Sequence, residues 1–330
     1  MKCLIIDKVY AGIAEELSKY MEVKTAENLP STKDQLLAEI GDVDVLIMRV
    51  DPKIDQEIID AAKNLKVIGV CSVGLNHIDM DYAKSKGIPV QNVPVYGTDN
   101  VSQFAVSLLM EVCSHIGHHN ESVHKGEWAS NADWCYWHYP MIEVSGKTAG
   151  IIGLGRIGVN TAKILKAMNV NVIAYDAFQS EAGKQVATYV ELDELLAKSD
   201  FIFLHCPLFP STEGIINKDN IAKMKDGVIF INVARGGLVD SEALADAVEA
   251  GKFRGVGMDV CEKEHEYFFE DRSNLKEHDK TLSRLLASDK VVISGHQAFL
   301  TEEALEQMAL ITMDNAKAFL EGAELVNEVK

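Results

Sequence analysis

The sequence predicts an α/β protein built from two doubly wound domains, each a parallel β-sheet with helices on both faces. Short apolar segments alternate with amphipathic ones along most of the chain, which is the pattern of strands joined by crossover helices. A long amphipathic segment and an aromatic-rich region interrupt this alternation near the middle. The second series opens with a glycine-rich turn, whereas the first series has none, so the two domains are expected to differ in function.

The first series predicts strands at residues 3–6, 45–48, 67–71 and 89–92, and helices at residues 12–20, 33–39, 55–63 and 80–86. A long helix is predicted from residue 101 to about residue 124, with Thr98 or Asp99 as its N-cap. The second series predicts strands at residues 149–152, 172–175, 201–204, 228–231, 255–258 and 291–294, followed by a last helix at residues 302–320. Six strands with a phosphate-binding first turn indicate the Rossmann fold.

The glycine-rich turn is the run Gly153-Leu154-Gly155-Arg156-Ile157-Gly158, which lies between an apolar segment and the start of a helix-like one. Gly153 would allow a tight turn, Gly155 a close approach of the backbone to a pyrophosphate, and Gly158 close packing of helix on strand. The N-terminus of the following helix offers free N–H groups and a partial positive charge to phosphates. This context predicts a dinucleotide site.

Asp176 selects between the two nicotinamide dinucleotides. It ends the second apolar segment and lies 176 − 158 = 18 residues past the last glycine, close to the usual spacing for the acid that binds the adenosine ribose. A carboxylate there repels a 2′-phosphate, and residues 177–180 supply no Arg to receive one. We therefore expect NAD.

Composition excludes some partners. The 330 residues are 47% hydrophobic and 25% charged, ordinary for a globular protein of about two domains. A formal net charge of −18 disfavours nucleic acid and anionic membranes. We expect a cytoplasmic protein, because the chain shows no signal-peptide pattern and no bilayer-spanning apolar run, and its six cysteines are scattered with no C-x-x-C.

Three polar residues follow three strands of the second sheet. Arg235, Glu264 and His296 come just past the strands at 228–231, 255–258 and 291–294, at the edge where parallel sheets bind ligands. Reduction of a 2-keto acid needs a guanidinium for the carboxylate, a histidine to donate the proton and a carboxylate to orient the imidazole. The sequence thus predicts direct hydride transfer to C2, with His296 protonating the oxygen.

The chain resembles the D-isomer-specific 2-hydroxyacid dehydrogenases over nearly its whole length. The resemblance rests on the glycine run, on Asn232-Val233-Ala234-Arg235-Gly236, on residues 259–264 and on Gly295-His296. It implies that the Rossmann domain, residues 100–298, is inserted into a flavodoxin-like substrate domain made of residues 1–99 and 299–330.

The resemblance also implies residue roles. Arg235 would bind and polarise the keto acid, His296 would be the acid/base, and Glu264 would pair with His296. Asp259 would contact the nicotinamide carboxamide or its ribose. The whole set of implied or motif-based cofactor contacts is Gly153, Gly155, Arg156, Ile157, Gly158, Asp176, Cys206, Pro207, Thr212, Val233, Ala234, Arg235 and Asp259.

Substrate contacts would come from the backbone at Val73 and Gly74 and from Tyr96, which could equally be a packing tyrosine at a turn.

Residues 93–147 resemble the glycerate dehydrogenase and hydroxypyruvate reductase branch, whereas residues 268–274 and 295–304 resemble the D-lactate branch. Phe299, three residues past His296, could form an apolar pocket wall, which favours pyruvate or a longer apolar acid. Hydroxypyruvate would instead want a partner for its hydroxyl.

Three further interpretations concern partners. Trp128, Trp134 and Trp137 fit a homodimer interface, or a loop that reaches the partner's active site. His115, His118 and His119 are spaced like metal ligands, but no Glu-bearing motif accompanies them, so no metal is expected. The resembling proteins include NAD-sensing corepressors, a non-enzymatic alternative that would bind NADH without turnover.

Overall fold

The computed structural model describes residues 1–6, 11–25, 32–50, 52–134, 136, 140–267, 273–274, 276 and 279–329. The chain divides into two compact units. The terminal unit contains Met1–Tyr96 and Leu300–Lys330, and the central unit contains Gly97–Phe299. The predicted boundaries, after residues 99 and 298, lie within three residues of these limits.

The terminal unit is built on a five-stranded parallel sheet in the order β2-β1-β3-β4-β5, the order of flavodoxin-like folds. Its strands are β1 Lys2–Ile5, β2 Glu22–Thr25, β3 Val45–Met48, β4 Val67–Val70 and β5 Val90–Gln91. The flavodoxin-like prediction is confirmed, but the count of four strands was wrong. The missed strand β2 lies at the sheet edge with mostly exposed side chains, so its sequence contains no apolar run from which a strand could be predicted.

The central unit is built on a parallel sheet in the order β12-β11-β10-β9-β6-β7-β8, which contains the Rossmann order. Its strands are β6 Thr148–Ile152, β7 Asn171–Tyr175, β8 Thr188–Tyr189, β9 Phe201–Leu204, β10 Val228–Asn232, β11 Phe253–Met258 and β12 Val291–Ile293. The Rossmann prediction is confirmed. Seven strands replace the predicted six, because the two-residue edge strand β8 was missed.

The described helices are α1 Ala11–Leu17, α2 Lys33–Glu39, α3 Gln56–Ala61, α4 Met80–Ser85, α5 Thr98–Ser114, α6 Ile116–His124, α7 Glu127–Ser130, α8 Arg156–Ala167, α9 Glu181–Val186, α10 Leu192–Lys198, α11 Lys218–Lys223, α12 Ser241–Glu249, α13 Lys280–Leu286 and α14 Glu302–Glu321. No helix in the described part of the chain is long and apolar enough to cross a bilayer. Free thiols are present at Cys3, Cys71, Cys113, Cys206 and Cys261.

The predicted single helix from 101 to about 124 is wrong. It is two helices, α5 and α6, separated by His115 in the left-handed conformation at φ 51°. The break removes the backbone acceptor that the Gly117 N–H would have in a continuous helix. The Glu111 carboxylate accepts this N–H instead, at 3.0 Å. The predicted cap is also wrong, since Gly97 is the N-cap of α5 and no side chain caps it.

The core of the central unit covers both faces of its sheet. One layer places α5 and α8 over the central strands, and a second layer packs α10 to α12 on the other face. Helix α5 packs so closely on β11 that a Cβ at Gly255 would lie only 2.2 Å from Val112 Cγ1. The close packing fixes the strand ends that carry the site.

Candidate active site

The glycine turn has the geometry that its sequence predicts. Gly153 follows β6 with φ +94°, and a Cβ there would lie 2.4 Å from the Cys206 backbone nitrogen. A Cβ at Gly158 would lie 2.3 Å from the Gly153 carbonyl oxygen, so both positions require glycine. Gly155 is the N-cap of α8 and its Cβ direction opens onto free space, which leaves the backbone open to a pyrophosphate.

Asp176 lies beside this turn, directly after β7. Its Oδ2 accepts the Leu154 N–H at 2.6 Å and its Oδ1 accepts the Phe178 N–H at 2.8 Å. Each carboxylate oxygen can accept a second bond, so the group can still receive the ribose hydroxyls. The turn and the acid therefore fit an adenosine diphosphate.

The segment after β9 forms the next part of the site. His205 bonds the Thr161 hydroxyl through Nε2 at 3.0 Å and stacks on Phe203. Burial lowers the pKa of His205 to about 4, so its ring is neutral at pH 7 and suits a structural role. Thr212 Oγ1 donates to the Pro207 carbonyl at 2.7 Å and thereby fixes the loop between them. The contact with Thr161 could not be predicted from the sequence.

Arg235 is held by a buried residue that sequence analysis did not single out as a site residue. Asn232, the last residue of β10, accepts the Ala234 N–H and donates to the Arg235 carbonyl, both at 3.0 Å. The Arg235 guanidinium donates to the Ala234 carbonyl at 2.7 Å, which uses one of its five N–H groups. Gly236 then brings this turn against the next loop, because a Cβ there would lie 2.1 Å from the Cys261 carbonyl carbon.

His296 and Glu264 are in contact. His296 Nδ1 lies 3.0 Å from Glu264 Oε1, and Glu264 Oε2 accepts the Cys261 N–H at 3.3 Å. The side chains are 35% and 22% exposed, so the pair is reachable from solvent. With Nδ1–H directed to the carboxylate, Nε2 is the nitrogen left to exchange a proton with a ligand.

Asp259 fixes the segment that carries His296. It is 1% exposed, and its carboxylate accepts the Ser294 hydroxyl and the Gln297 N–H at 2.7 Å and the Ala298 N–H at 2.9 Å. Its carbonyl accepts the His296 N–H at 2.7 Å. These bonds hold His296 at φ 55°, an unusual conformation for a residue with a side chain. The predicted contact of Asp259 with nicotinamide stays a prediction.

Phe299 packs against the same imidazole. Its ring centroid lies 6.3 Å from that of His296, with the rings nearly perpendicular at 78°. The Phe299 carbonyl accepts the Asn100 side chain at 2.7 Å. An apolar ring thus lies next to the proposed proton donor.

The remaining predicted substrate residues lie in the terminal unit. Val73 and Gly74 follow β4, and their carbonyls accept bonds from Asn92 Nδ2 at 3.0 Å and Ser72 Oγ at 2.9 Å. Asn315, on α14, donates in turn to the Asn92 carbonyl at 3.0 Å. Two asparagines therefore position the predicted carboxylate-binding loop. Tyr96 is half-buried at the end of this unit, and its role stays open.

The histidines near the α5–α6 junction pack on one another. The His118 and His119 rings are edge to face, 5.5 Å apart, and His119 packs in the same way on Tyr136 at 6.3 Å. Within the described ranges, no group of three or more His, Cys, Asp or Glu residues has a metal-binding arrangement.

The central unit has the features of an NAD-dependent dehydrogenase. It has a Rossmann-type turn with an acid at the end of the second strand, and Arg, Glu and His at the ends of three further strands. Comparison with known proteins agrees. The profile of the D-isomer specific 2-hydroxyacid dehydrogenase NAD-binding domain matches residues 106–298.

The chain is 44% identical to a hydroxypyruvate reductase of Blautia hydrogenotrophica over 291 residues, 88% of this chain and 86% of that one. It is 36% identical to the D-lactate dehydrogenase of Escherichia coli over 267 residues, 80% and 79% of the two chains. The structure of the D-lactate dehydrogenase of Aquifex aeolicus, solved with NAD and lactic acid, superimposes with a TM-score of 0.85 at 31% identity, covering 100% and 99%.

The chain therefore belongs to the D-isomer specific 2-hydroxyacid dehydrogenase family. It is an NAD-dependent oxidoreductase that acts on CH–OH donors, as the resemblance implied. The enzymatic prediction is confirmed.

Proposed function

We propose that the enzyme reduces 2-keto acids with an apolar side chain, pyruvate or a longer acid, to D-2-hydroxy acids. The observation that carries this choice is Phe299, whose ring packs on His296 and offers no hydrogen bond from its side chain. A hydroxyl in front of this ring would lose its water without gaining a partner, at a cost of about 1–3 kcal/mol.

Each polar group has one task in the proposed reaction. The Arg235 guanidinium binds the substrate carboxylate through two parallel N–H bonds and polarises the keto group. His296 passes a proton from Nε2 to the oxygen on C2, and Glu264 stabilises the imidazolium that donates it. Hydride exchange with C2 is the chemistry that bound NAD supplies. The contact of the Val73 and Gly74 backbone with the substrate carboxylate stays a prediction from the sequence.

Replacement of Phe299 by serine tests the substrate choice. We expect kcat/KM for pyruvate and 2-ketoisocaproate to fall about tenfold, because an apolar wall is lost, and kcat/KM for hydroxypyruvate to rise. The measurement is NADH oxidation with both variants on pyruvate, 2-ketoisocaproate, phenylpyruvate, hydroxypyruvate and 2-oxoglutarate. Phe299→Leu, which keeps the wall apolar, is the control. An unchanged order of preference in the serine variant contradicts the role of Phe299.

Hydroxypyruvate is the second candidate substrate. It is supported by the 44% identical relative, a hydroxypyruvate reductase, and by the resemblance of residues 93–147 to that branch. A native preference for hydroxypyruvate in the same panel would mean that residues 93–147 determine specificity and that the Phe299 argument fails.

We also propose that the enzyme is a homodimer. Large apolar side chains are exposed on consecutive short helices of the central unit: Ile116 is 64% exposed, Val123 39% and Trp128 57%. Such a cluster is typical of a protein interface, and a second copy of this chain is the proposed occupant. Trp134, 91% exposed, would extend it or reach the partner's site; Trp137 lies outside the described residues.

The double variant Ile116→Lys, Trp128→Lys is expected to be monomeric, because like charges in an interface core lose their hydration without pairing. Light scattering after gel filtration measures the mass. The matched control is Leu286→Lys, which charges a 50% exposed leucine elsewhere on the same unit and should leave the dimer intact. A dimeric double variant would exclude this surface as the interface.

A further inference from the structure

The first turn of α5 carries a buried asparagine whose side chain contacts the end of the segment that bears His296. Asn100 is 7% exposed, and its amide nitrogen donates to the Phe299 carbonyl at 2.7 Å. Its amide oxygen accepts the Val101 N–H at 2.8 Å. Both the donor and the acceptor of this side chain are therefore paired, which fixes the amide in one orientation.

The bond from Asn100 complements the bonds that hold the same segment from Asp259. The Asp259 carboxylate accepts the N–H groups of the two residues that follow His296, and these bonds reach as far as residue 298. The next residue is Phe299, and its carbonyl is the group that Asn100 holds. Asn100 thus extends the anchoring of the segment to the residue whose ring packs on the His296 imidazole.

The turn that presents Asn100 is itself fixed on the helix that follows the glycine turn. Asn160, on α8, donates to Asp99 Oδ1 at 3.0 Å and to Ser102 Oγ at 2.7 Å. The Ser102 hydroxyl is fully buried and donates to the Thr98 carbonyl at 2.7 Å. Movement of the turn would break these buried hydrogen bonds, so the donor of Asn100 has a fixed position.

We propose that Asn100 is a positioning residue that holds Phe299 against His296 and thereby sets the wall of the keto-acid site. A change in the backbone angles of Phe299 would move its ring off the imidazole, and the bond from Asn100 to the carbonyl opposes such a change. The inference rests on the proposed function, in which the Phe299 ring lines the substrate site. Asn100 acts through Phe299 and not by contact with the substrate.

The position of the Phe299 ring can be measured without substrate. An aromatic ring shifts the NMR signals of nearby protons, so the His296 Hε1 signal, observed with isotope-labelled histidine, reports where the ring lies. Its absence from His296→Ala assigns the signal. Phe299→Ser should shift it by removing the ring, and Asn100→Ala should shift it in the same direction. The signal of the buried His205 should stay in place, which a general loosening of the fold would not allow.

Asn100→Asp is the second variant. It keeps the shape of the side chain and the acceptor for the Val101 N–H, and a carboxylate is favourable in the first turn of a helix, but the ionised group cannot donate. It should shift the His296 signal as Asn100→Ala does. Asn171→Ala is the matched control, because Asn171 also donates to a backbone carbonyl, that of Gly146, at the opposite edge of the sheet.

Turnover gives a second readout of the same role. For Asn100→Ala we expect kcat/KM for the preferred keto acid to fall about tenfold, mainly through KM, with NADH affinity within about twofold of native. In the Phe299→Ser background, Asn100→Ala should cause no further loss, because the wall that it positions is gone. Asn171→Ala should keep native kinetics.

A native His296 signal in both Asn100 variants would overturn the inference, as would native kcat/KM in Asn100→Ala or a full additional loss in the Phe299→Ser background. A His296 signal that Phe299→Ser leaves unmoved would overturn it too, since the two rings would not be in contact. A native preference for hydroxypyruvate would refute the proposed substrate alone, because the NMR signal does not depend on which keto acid the enzyme reduces.

Discussion

The variant His296→Ala is expected to lose about a thousandfold of kcat for 2-keto acid reduction, with NADH affinity close to native. A positioned proton donor contributes roughly 10²–10⁴-fold to such a reaction, and alanine leaves water as the only donor. Steady-state NADH oxidation gives kcat, and quenching of protein fluorescence by NADH gives the affinity. The expected result is thus a loss in the chemical step alone.

The structure supports a clean experiment at this position. The imidazole is partly exposed, and the contacts that hold its segment run to the backbone and to Asp259, so truncation at Cβ leaves them in place. His124→Ala, an exposed histidine on α6, is the matched control and should keep native turnover. The kcat of Glu264→Gln should lie between those of His296→Ala and the native enzyme, about 10- to 100-fold below native. An amide at this position still orients the His296 ring but does not stabilise the positive charge of the imidazolium. Native turnover in His296→Ala would refute its role as proton donor.

The central strands could be predicted because they are buried on both faces. Phe201–Leu204 and Val45–Met48 are fully buried and therefore appear as short apolar runs in the sequence. The edge strands Glu22–Thr25 and Thr188–Tyr189 were missed because their side chains are exposed or half-buried and form no apolar run in the sequence. The positions of Arg235 and Glu264 follow from this prediction, because they come after the central strands β10 and β11. His296 follows the edge strand β12, which is half-buried but apolar throughout and could therefore still be predicted.

The details that depend on tertiary contacts could not be predicted. The break at His115 has no proline to mark it and relies on the contact of Glu111 with Gly117. The choice of Asp259 as the residue that holds the His296 segment depends on which donors surround its carboxylate in the folded unit. Likewise, nothing in the spacing of Asn92 shows that its amide reaches the carbonyl of Val73.

Arg235→Lys is expected to lower kcat/KM for the keto acid about a hundredfold, with NADH affinity near native. A guanidinium can give a carboxylate two parallel charge-assisted bonds, whereas an ammonium is a point charge, and one such bond is worth about 1.5–3 kcal/mol. The turn itself should survive, because Asn232 bonds the carbonyl of residue 235 and the N–H of Ala234, which lysine retains. Steady-state kinetics with varied keto acid measures the loss.

Arg254→Lys is the matched control, since Arg254 is exposed on β11 and should tolerate the change. If Arg235→Lys keeps kcat/KM within about threefold of native, the carboxylate is held by groups other than Arg235. Combining Arg235→Lys with His296→Ala separates the two tasks further. A guanidinium that both binds the carboxylate and polarises the keto group acts on the atom that His296 protonates, so the two losses should combine to less than their product. Fully multiplicative losses would instead limit Arg235 to holding the carboxylate.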